Sequence, residues 1–429
     1  MRLFLAALVG CALLVPQLSQ AMPLRSYRRG GAGADTVVMA ERDFLDAVLR
    51  DNPTLRALRF EIPAAQADVT TARLRPNPVA NITADIFPIP GEKFTPAAGQ
   101  YSVTLQLPIE RGGKRARRSE AAEVGVRAIT ESVADAERQV TLTARQAWVD
   151  LLSARAALSI ADRTLMSYDQ LVELNRSRLS AKQIAGAELS RSIVARSQAA
   201  LQRDEAALTL RLASDALAAL VGRAISVTPR DTLAQSRRTV LPFDSLLTRA
   251  LAMRADVRAA RTGVQLAQAN RRIQEANAKQ DVTVGLDAGV QQFTRLYGVS
   301  GSIPLAVFNR NQGEREKAAV RAAQAAQRLR GAEAQVTADL RAAYAEYETR
   351  RAALARFVDP SSEGILAEAA SIKNAAEFAY RNGSTSLLEL LDAERTFTDL
   401  YRAYIDALAR YQKSLALVDA AAGLSPFGA

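Results

Sequence analysis

The sequence predicts an α+β chain of very long, slender helices and four β-strands in two pairs, with the whole plan written twice. Three observations carry this. Between Lys114 and Leu179 there is no Pro and Gly125 is the only Gly, so one helix could run for roughly 100 Å at 1.5 Å per residue. Four stretches alternate apolar and polar residues with period two, the mark of a strand with two unlike faces. Finally, the Leu, Arg and Ala pattern of FLDAVLRDNPTLRALRFEIPAAQADVTTAR (44–73) returns in LLTRALAMRADVRAARTGVQLAQANRRIQ (246–274), an offset near 200 residues.

Taken in order, the chain opens on MRLFLAALVGCALLVPQLSQA, with a positive start at Arg2, an apolar run from Leu3 to Val15, and small residues at Ser19 and Ala21. Residues 1–21 therefore read as a secretory signal peptide cleaved after Ala21, too short to span a bilayer. The competing reading is a lipobox, Leu8-Val9-Gly10-Cys11, that would lipidate Cys11; the apolar run before Cys11 is short for that. Residues 22–40, including GGAGAD (30–35), read as a flexible segment. The first repeat spans 41–227, with strands near 79–87 and 101–108, the long helix, a break at Ser180–Gly186, and a second helix closing at ALAALVG (216–222). A polar linker, TPRDTLAQSRRTVLP (228–242), leads to the second repeat, 243–423, with strands near 281–291 and 297–304 and a close at ALVDAAAG (416–423).

On the strands, Asn81, Thr83 and Asp85 alternate with Ala80, Ile82, Ala84 and Ile86; Ser102, Thr104 and Gln106 with Tyr101, Val103, Leu105 and Leu107. Asp281, Thr283, Asp287 and Gln291 alternate with Val282, Val284, Leu286, Ala288 and Val290, and Ser300 and Ser302 with Val299 and Ile303. One apolar and one polar face suits a half-buried soluble sheet. It equally suits a membrane barrel strand, apolar toward lipid and polar toward a lumen. Four strands cannot close a barrel, and an open edge cannot sit in lipid, so a membrane sheet needs several chains. Two chains would supply eight strands and three would supply twelve.

On the helices, Val140, Ala144, Ala147, Leu151, Ala154 and Leu158 recur at spacings of three and four, as do Phe397, Leu400, Tyr404, Leu408, Tyr411, Leu415 and Val418. Such narrow stripes fit coiled-coil packing of slender helices. Composition excludes much chemistry. The chain has no His, and its single Cys lies in the leader, so Cys/His zinc sites, Ser-His-Asp triads and Cys-His pairs are ruled out. The formal charge of +11 suits a nucleic-acid or anionic-membrane partner or, more plainly, an arginine bias spread along solvated helices, and no nucleic-acid partner is expected of an exported chain. RGGKRARR (111–118) lacks the upstream Gly and the Ser/Thr of a phosphate loop; Gly112 and Gly113 there supply a sharp strand-to-helix bend. No enzyme is expected, and no cofactor.

The leader, the duplicated plan and three motifs together resemble the TolC family of outer-membrane efflux channels from about residue 41 to 423. The motifs are PIERGGKR (108–115), PLAVFNRNQG (304–313) and YRNGSTSLLELLDAER (380–395), and the first two look most like the heavy-metal, CzcC-like branch. The resemblance implies an α+β membrane protein acting as a homotrimer. Its shared 12-stranded β-barrel, four transmembrane strands per chain, would sit in the outer membrane of a Gram-negative bacterium. A long α-helical coiled-coil barrel would continue it as a tunnel across the periplasm. It also implies a passive exit duct for heavy-metal cations, docked to a periplasmic membrane-fusion adaptor and a proton-driven inner-membrane pump of the RND type. A drug-efflux or secretion channel of the same shape is the alternative within the class. A soluble periplasmic coiled-coil scaffold is the alternative outside it.

By the same resemblance, Pro88 to Gln100 is an external loop, and Ser180–Gly186 and Tyr380–Gly383 are helical turns at the periplasmic tip. Glu389 and Asp392 fall on the acidic positions of the tip constriction, where three copies would ring the axis, and Tyr380 on a gating Tyr. The residues alone allow a plainer account, a solvated helix face bearing an i,i+3 pair. The chain departs from the family pattern at Thr385, which stands where a gating Arg is expected, and at Arg191, which stands at an acidic position near Glu188.

Overall fold

The computed structural model describes residues 35–85, 100–223, 225–234, 240–291, 294–357 and 364–424. The leader with Cys11, and most of the external loop expected at 88–100, lie outside the described residues.

A short strand β1 (Asp35–Met39) leads into α1 (Glu41–Asp51), α2 (Pro53–Arg59) and α3 (Glu61–Arg73). Buried Asn52 sets the α1–α2 bend: its side chain accepts the Leu55 amide (3.0 Å), and its Nδ2 donates to the Leu220 carbonyl (2.7 Å). Strands β2 (Val79–Asp85) and β3 (Gln100–Ile109) follow, then α4 (Lys114–Ser180) and α5 (Gly186–Val221). The predicted rod is real: α4 runs 67 residues without a break. Gly112 and Gly113, with φ of 74° and 71°, make the bend before it, as the motif predicts. Gly222 ends α5 at φ 75°, and a Cβ there would lie 2.7 Å from Pro53 Cγ, so only glycine fits.

The second half runs α6 (Phe243–Met253), α7 (Ala255–Asn277), β5 (Val282–Gln291), β6 (Thr294–Ser302), α8 (Gln312–Ala355), α9 (Ile365–Arg381) and α10 (Leu387–Ala421). It keeps the order of the first, helix, strand pair, long helical stretch, turn, helix, except that the stretch before the turn is two helices, α8 and α9. Between the halves lies β4 (Ile225–Pro229), which pairs with β1. This corrects the expected organisation, because part of the segment read as flexible and the first residues of the linker form a sheet. Asp231 of the same linker accepts the Glu41 amide (2.7 Å) at the start of α1.

The main sheet is antiparallel, in the order β2-β3-β5-β6. Its register lines up Asn81, Thr104, Asp287 and Gly298, and next to them Thr83, Ser102, Gly289 and Leu296. All of the in-strand polar residues singled out in the sequence therefore share one face, with Gln106, Thr283, Gln291, Ser300 and Ser302. Val79 and Leu296 are apolar exceptions there, and Arg295 is the charged exception on the other face. Asp85 ends β2 opposite Gln100. Strand β5 starts one residue later than expected, so Asp281 precedes it; its carboxylate takes the Arg111 amide (2.9 Å) and the Lys114 ammonium (2.8 Å). It is thus a tie at the root of the sheet rather than one of the strand-face polar residues. Strand β6 starts three residues earlier than expected and ends at Ser302.

Two apolar clusters hold the middle of the helical part. In one, Trp148 of α4 stacks on Phe44 at 5.3 Å, with Val48, Leu151, Leu217 and Val221 around them. In the other, Leu340 and Tyr347 of α8 meet Leu408, Tyr411 and Leu415 of α10. Val140, Ala144, Ala147 and Leu151 of the first predicted stripe face the Trp148 cluster, and Tyr404, Leu408, Tyr411, Leu415 and Val418 of the second face the other.

Candidate functional site

The second helix turn, between α9 and α10, carries the acidic positions. Ser386 caps α10 by accepting the Glu389 amide (3.3 Å), which fixes where its first turn points. Glu389 and Asp392 sit one turn apart on the same exposed face, as an i,i+3 pair must. They line a groove of about 750 Å³ between α9 and α10, together with Ile372, Ala376 and Thr385. Thr385 donates its hydroxyl to Glu389 Oε2, so the residue that replaces the expected Arg orients this carboxylate. Glu368 of α9 lines the same groove. It was not legible in the sequence, because only the α9–α10 hairpin brings it there.

Tyr380 is not in that groove. Only 2% of it is exposed, and it lies between α9 and α4 in a cluster with Tyr168, Leu171, Ala199, Leu387 and Leu390. Its hydroxyl donates to Asn175 Oδ1 of α4 (2.6 Å). The Arg178 guanidinium lies 4.9 Å from the Tyr380 ring centroid and donates to the carbonyls of Tyr380 (3.0 Å) and Arg381 (2.8 Å). Tyr380 therefore sits apart from the Glu389–Asp392 groove, its phenol packed within the chain between α9 and α4. Asn175 and Arg178, its partners, carried no signal of their own in the sequence.

A third acid, Glu394, also differs from its neighbours. Five residues beyond Glu389 on a 3.6-residue helix, it falls on roughly the opposite face, a spacing the sequence could have flagged. It is 3% exposed, accepts the Ser167 hydroxyl (2.8 Å) and pairs with Lys373 (3.4 Å). Burial, with Glu394 and Asp399 nearby, pushes the Tyr168 phenol up to about 12. Among the described residues no group of three acids is placed to hold a metal ion.

The sheet supplies the other candidate surface. Thr104 donates to Asp287 Oδ1 (2.6 Å) across β3 and β5. Small residues line this polar face: a Cβ on Gly285 would fall 2.3 Å from Ser300 Oγ, and one on Gly289 would fall 2.8 Å from the Tyr101 carbonyl oxygen. Side-chain bulk is on the other face, where Ile82, Val103, Leu105, Leu286 and Val299 are exposed to the surroundings of the chain. No described helix is long and apolar enough to cross a membrane. An apolar-backed sheet standing on a column of slender helices defines a channel-forming class of protein.

Within that class, the chain belongs to the outer membrane efflux protein family, whose model matches residues 44–223 and 246–424. That is a family of passive channels, so the chain is not an enzyme. It is 25% identical to the cobalt-zinc-cadmium resistance protein CzcC of Cupriavidus metallidurans, over 97% of this chain and 98% of that one. Among solved structures it resembles CusC, with a TM-score of 0.76 and 18% identity, over 90% of this chain and 92% of that one. It also resembles the open state of the MtrE outer membrane channel of Neisseria gonorrhoeae, with a TM-score of 0.72 and 21% identity, over 90% and 89% of the two chains. These likenesses carry the TolC-like fold.

Proposed function

We propose that the chain is one subunit of a homotrimeric outer-membrane duct that lets heavy-metal cations leave the cell passively. The observation that carries this reading is the main sheet: four strands, one face apolar and exposed, the other polar, and edges at β2 and β6 with no partner strand among the described residues. Open edges are not tolerated in lipid, and three copies joined edge to edge close twelve strands into a barrel. The sequence is an internal duplication, 41–227 and 243–423, each half giving one strand pair and one helical hairpin. The leader exports the chain by ordinary signal cleavage. The helices continue the barrel as a periplasmic tunnel whose tip docks to a membrane-fusion adaptor and a proton-driven RND pump, and the pump supplies the energy.

Asn81, Thr83, Asp85, Ser102, Thr104, Gln106, Thr283, Asp287, Gln291, Ser300 and Ser302 line the barrel lumen. Glu389 and Asp392 form stacked carboxylate rings at the tip, attracting cations and opposing anions. Tyr380, through Asn175, holds each chain's α9–α10 hairpin against α4. Heavy metals are favoured as cargo by the likeness to CzcC along the whole chain.

The test is growth of a deletion strain on Zn, Co, Ni, Cd, Cu and Ag salts, common drugs and detergents. Sensitivity confined to one or two metals is expected. Broad drug sensitivity with normal metal tolerance would overturn the metal cargo and leave a general efflux or secretion duct. A chain that washes off membranes in carbonate would overturn the membrane reading in favour of a periplasmic scaffold. In planar bilayers, Glu389→Gln with Asp392→Asn should lower cation-over-anion selectivity severalfold, while unchanged selectivity would remove the rings from the account.

A further inference from the structure

The sheet meets the helices in one layer of chain crossings, and hydrogen bonds tie the crossings together. Arg118 donates to the Leu74 carbonyl (3.3 Å), joining the start of α4 to the approach to β2. Asp281, at the entry to β5, holds Arg111 and Lys114 of the β3–α4 turn. Asn311, just before α8, donates to the Gln274 carbonyl of α7 (2.9 Å). The Gly112 position is so close to α7 that a Cβ would fall 2.8 Å from Lys279 Cδ.

Charge in this layer is one-sided. Segments 74–78, 110–118, 278–281 and 303–315 hold nine cations and three carboxylates. All three carboxylates are engaged within the chain, Glu110 by Arg118, Asp281 by Lys114 and Glu314 by Lys317. Arg75, Arg111, Arg115, Lys279 and Arg315 are exposed and have no carboxylate partner among the described residues. Moreover, Lys114, Arg115 and Arg117 occupy the first turn of α4, which contains no acid. Lys114 is paired with Asp281 and Arg117 with Glu120, which leaves Arg115 without a carboxylate there. A cation at a helix N-terminus opposes the helix dipole, so the stability of α4 does not explain Arg115, and an external anion does.

Beside these cations stands an apolar wedge. Ile303 follows β6 in phase with Val299, and beyond it Leu305 is 81% and Phe308 92% exposed. The wedge is held rather than loose. The Val307 amide donates to the Leu305 carbonyl (2.9 Å), Arg310 Nε to the Ala306 carbonyl (3.3 Å) and Gln312 Nε2 to the Phe308 carbonyl (3.3 Å). A fixed loop that keeps a Phe ring and a Leu side chain out, just past the end of β6 and in the same layer as these cations, matches one surface: acyl chains under anionic headgroups.

We infer that this layer is a collar that binds anionic phospholipid of the leaflet facing the helices, the free Arg and Lys taking the phosphates and the Ile303–Phe308 wedge entering the acyl region. It rests on the reading that the sheet sits in a membrane. In the test, full-length protein is purified in detergent, delipidated, and titrated with short-chain phosphatidylglycerol, short-chain phosphatidylcholine or inorganic phosphate, with the thermal midpoint as readout. Phosphatidylglycerol should raise the midpoint and bind about tenfold tighter than phosphatidylcholine, with phosphate inactive. Arg115→Gln with Lys279→Gln and Arg315→Gln should remove that preference, whereas Leu305→Ser with Phe308→Ser should weaken both lipids alike. Should the cation variant fail to fold, high salt on the wild-type protein must erase the preference instead. Equal response to both lipids, a phosphate response as large as the lipid's, or a preference that survives both treatments would overturn the collar. A carbonate wash of wild-type membranes separates the two failures. Release of the chain sinks the membrane reading itself, and retention without headgroup preference sinks only the collar.

Discussion

The two helix turns are built on one backbone plan and locked very differently. At the first, amides of Ala181, Lys182 and Gln183 donate to the carbonyls of Ser177, Leu179 and Arg178. At the second, those of Asn382, Gly383 and Ser384 donate to Phe378, Tyr380 and Ala379 in the same pattern. The left-handed position is Lys182 in one (φ 56°) and Gly383 in the other (φ 73°). The next helix begins after Ala185, with no side-chain cap, in one, and after Ser386, which caps, in the other. Tyr380 reaches across to Asn175, while Leu179, its counterpart, is only half-buried. Beyond the turns, α10 buries a continuous face, but α5 leaves Val194, Leu201, Leu208 and Leu212 exposed. The same backbone turn occurs twice; side chains make the second a fixed anchor and leave the first with a left-handed Lys182 and a partly uncovered helix.

The largest test of that contrast is Tyr380→Ala, which should cost roughly 3–5 kcal/mol through the cavity and lost packing. Leu179→Ala should cost far less. Hydrogen exchange on the amides of both turns would show the asymmetry, and equal losses would end it. Next comes pH. The buried Tyr168 phenol, pushed up to about 12 from an ordinary 10.0, stays neutral in the fold while the unfolded chain ionises. Its contribution is complete below pH 10 and lost as pH rises toward 12, at about 1.4 kcal/mol per unit. Tyr168→Phe should flatten an alkaline stability profile across that window. Caps should matter at about 1 kcal/mol: Ser386→Ala loosens the second turn, and Ala185→Ser tightens the first by a similar amount. Smallest is Lys182→Gly, where relief of left-handed strain is largely offset by added freedom in the unfolded chain, leaving a gain of a few tenths of a kcal/mol in thermal unfolding.

What the sequence made legible follows the range of each signal. The 67-residue α4 and the two faces of the sheet are local periodicities, so they were readable, and the register keeps Asn81, Thr104 and Asp287 in line as alternation required. Strand β1 was not readable. DTVVM is five residues without alternation, and its partner β4 lies nearly 190 residues on, so no local pattern specifies the pair. The exposed Glu389–Asp392 pair was visible as helical spacing. The burial of Tyr380 was not, because Asn175 and Arg178 belong to a helix of the other half and only tertiary packing brings them in.

The Tyr380–Asn175 contact fixes where α9 ends against α4. The contact joins a hydroxyl donor to a carboxamide acceptor, with no ion pair in it. Arg178 adds hydrogen bonds to the neighbouring carbonyls of Tyr380 and Arg381. These bonds tie the C-terminal end of α9 to α4 within one chain, so any movement of the α9–α10 hairpin away from α4 would have to break all of them together.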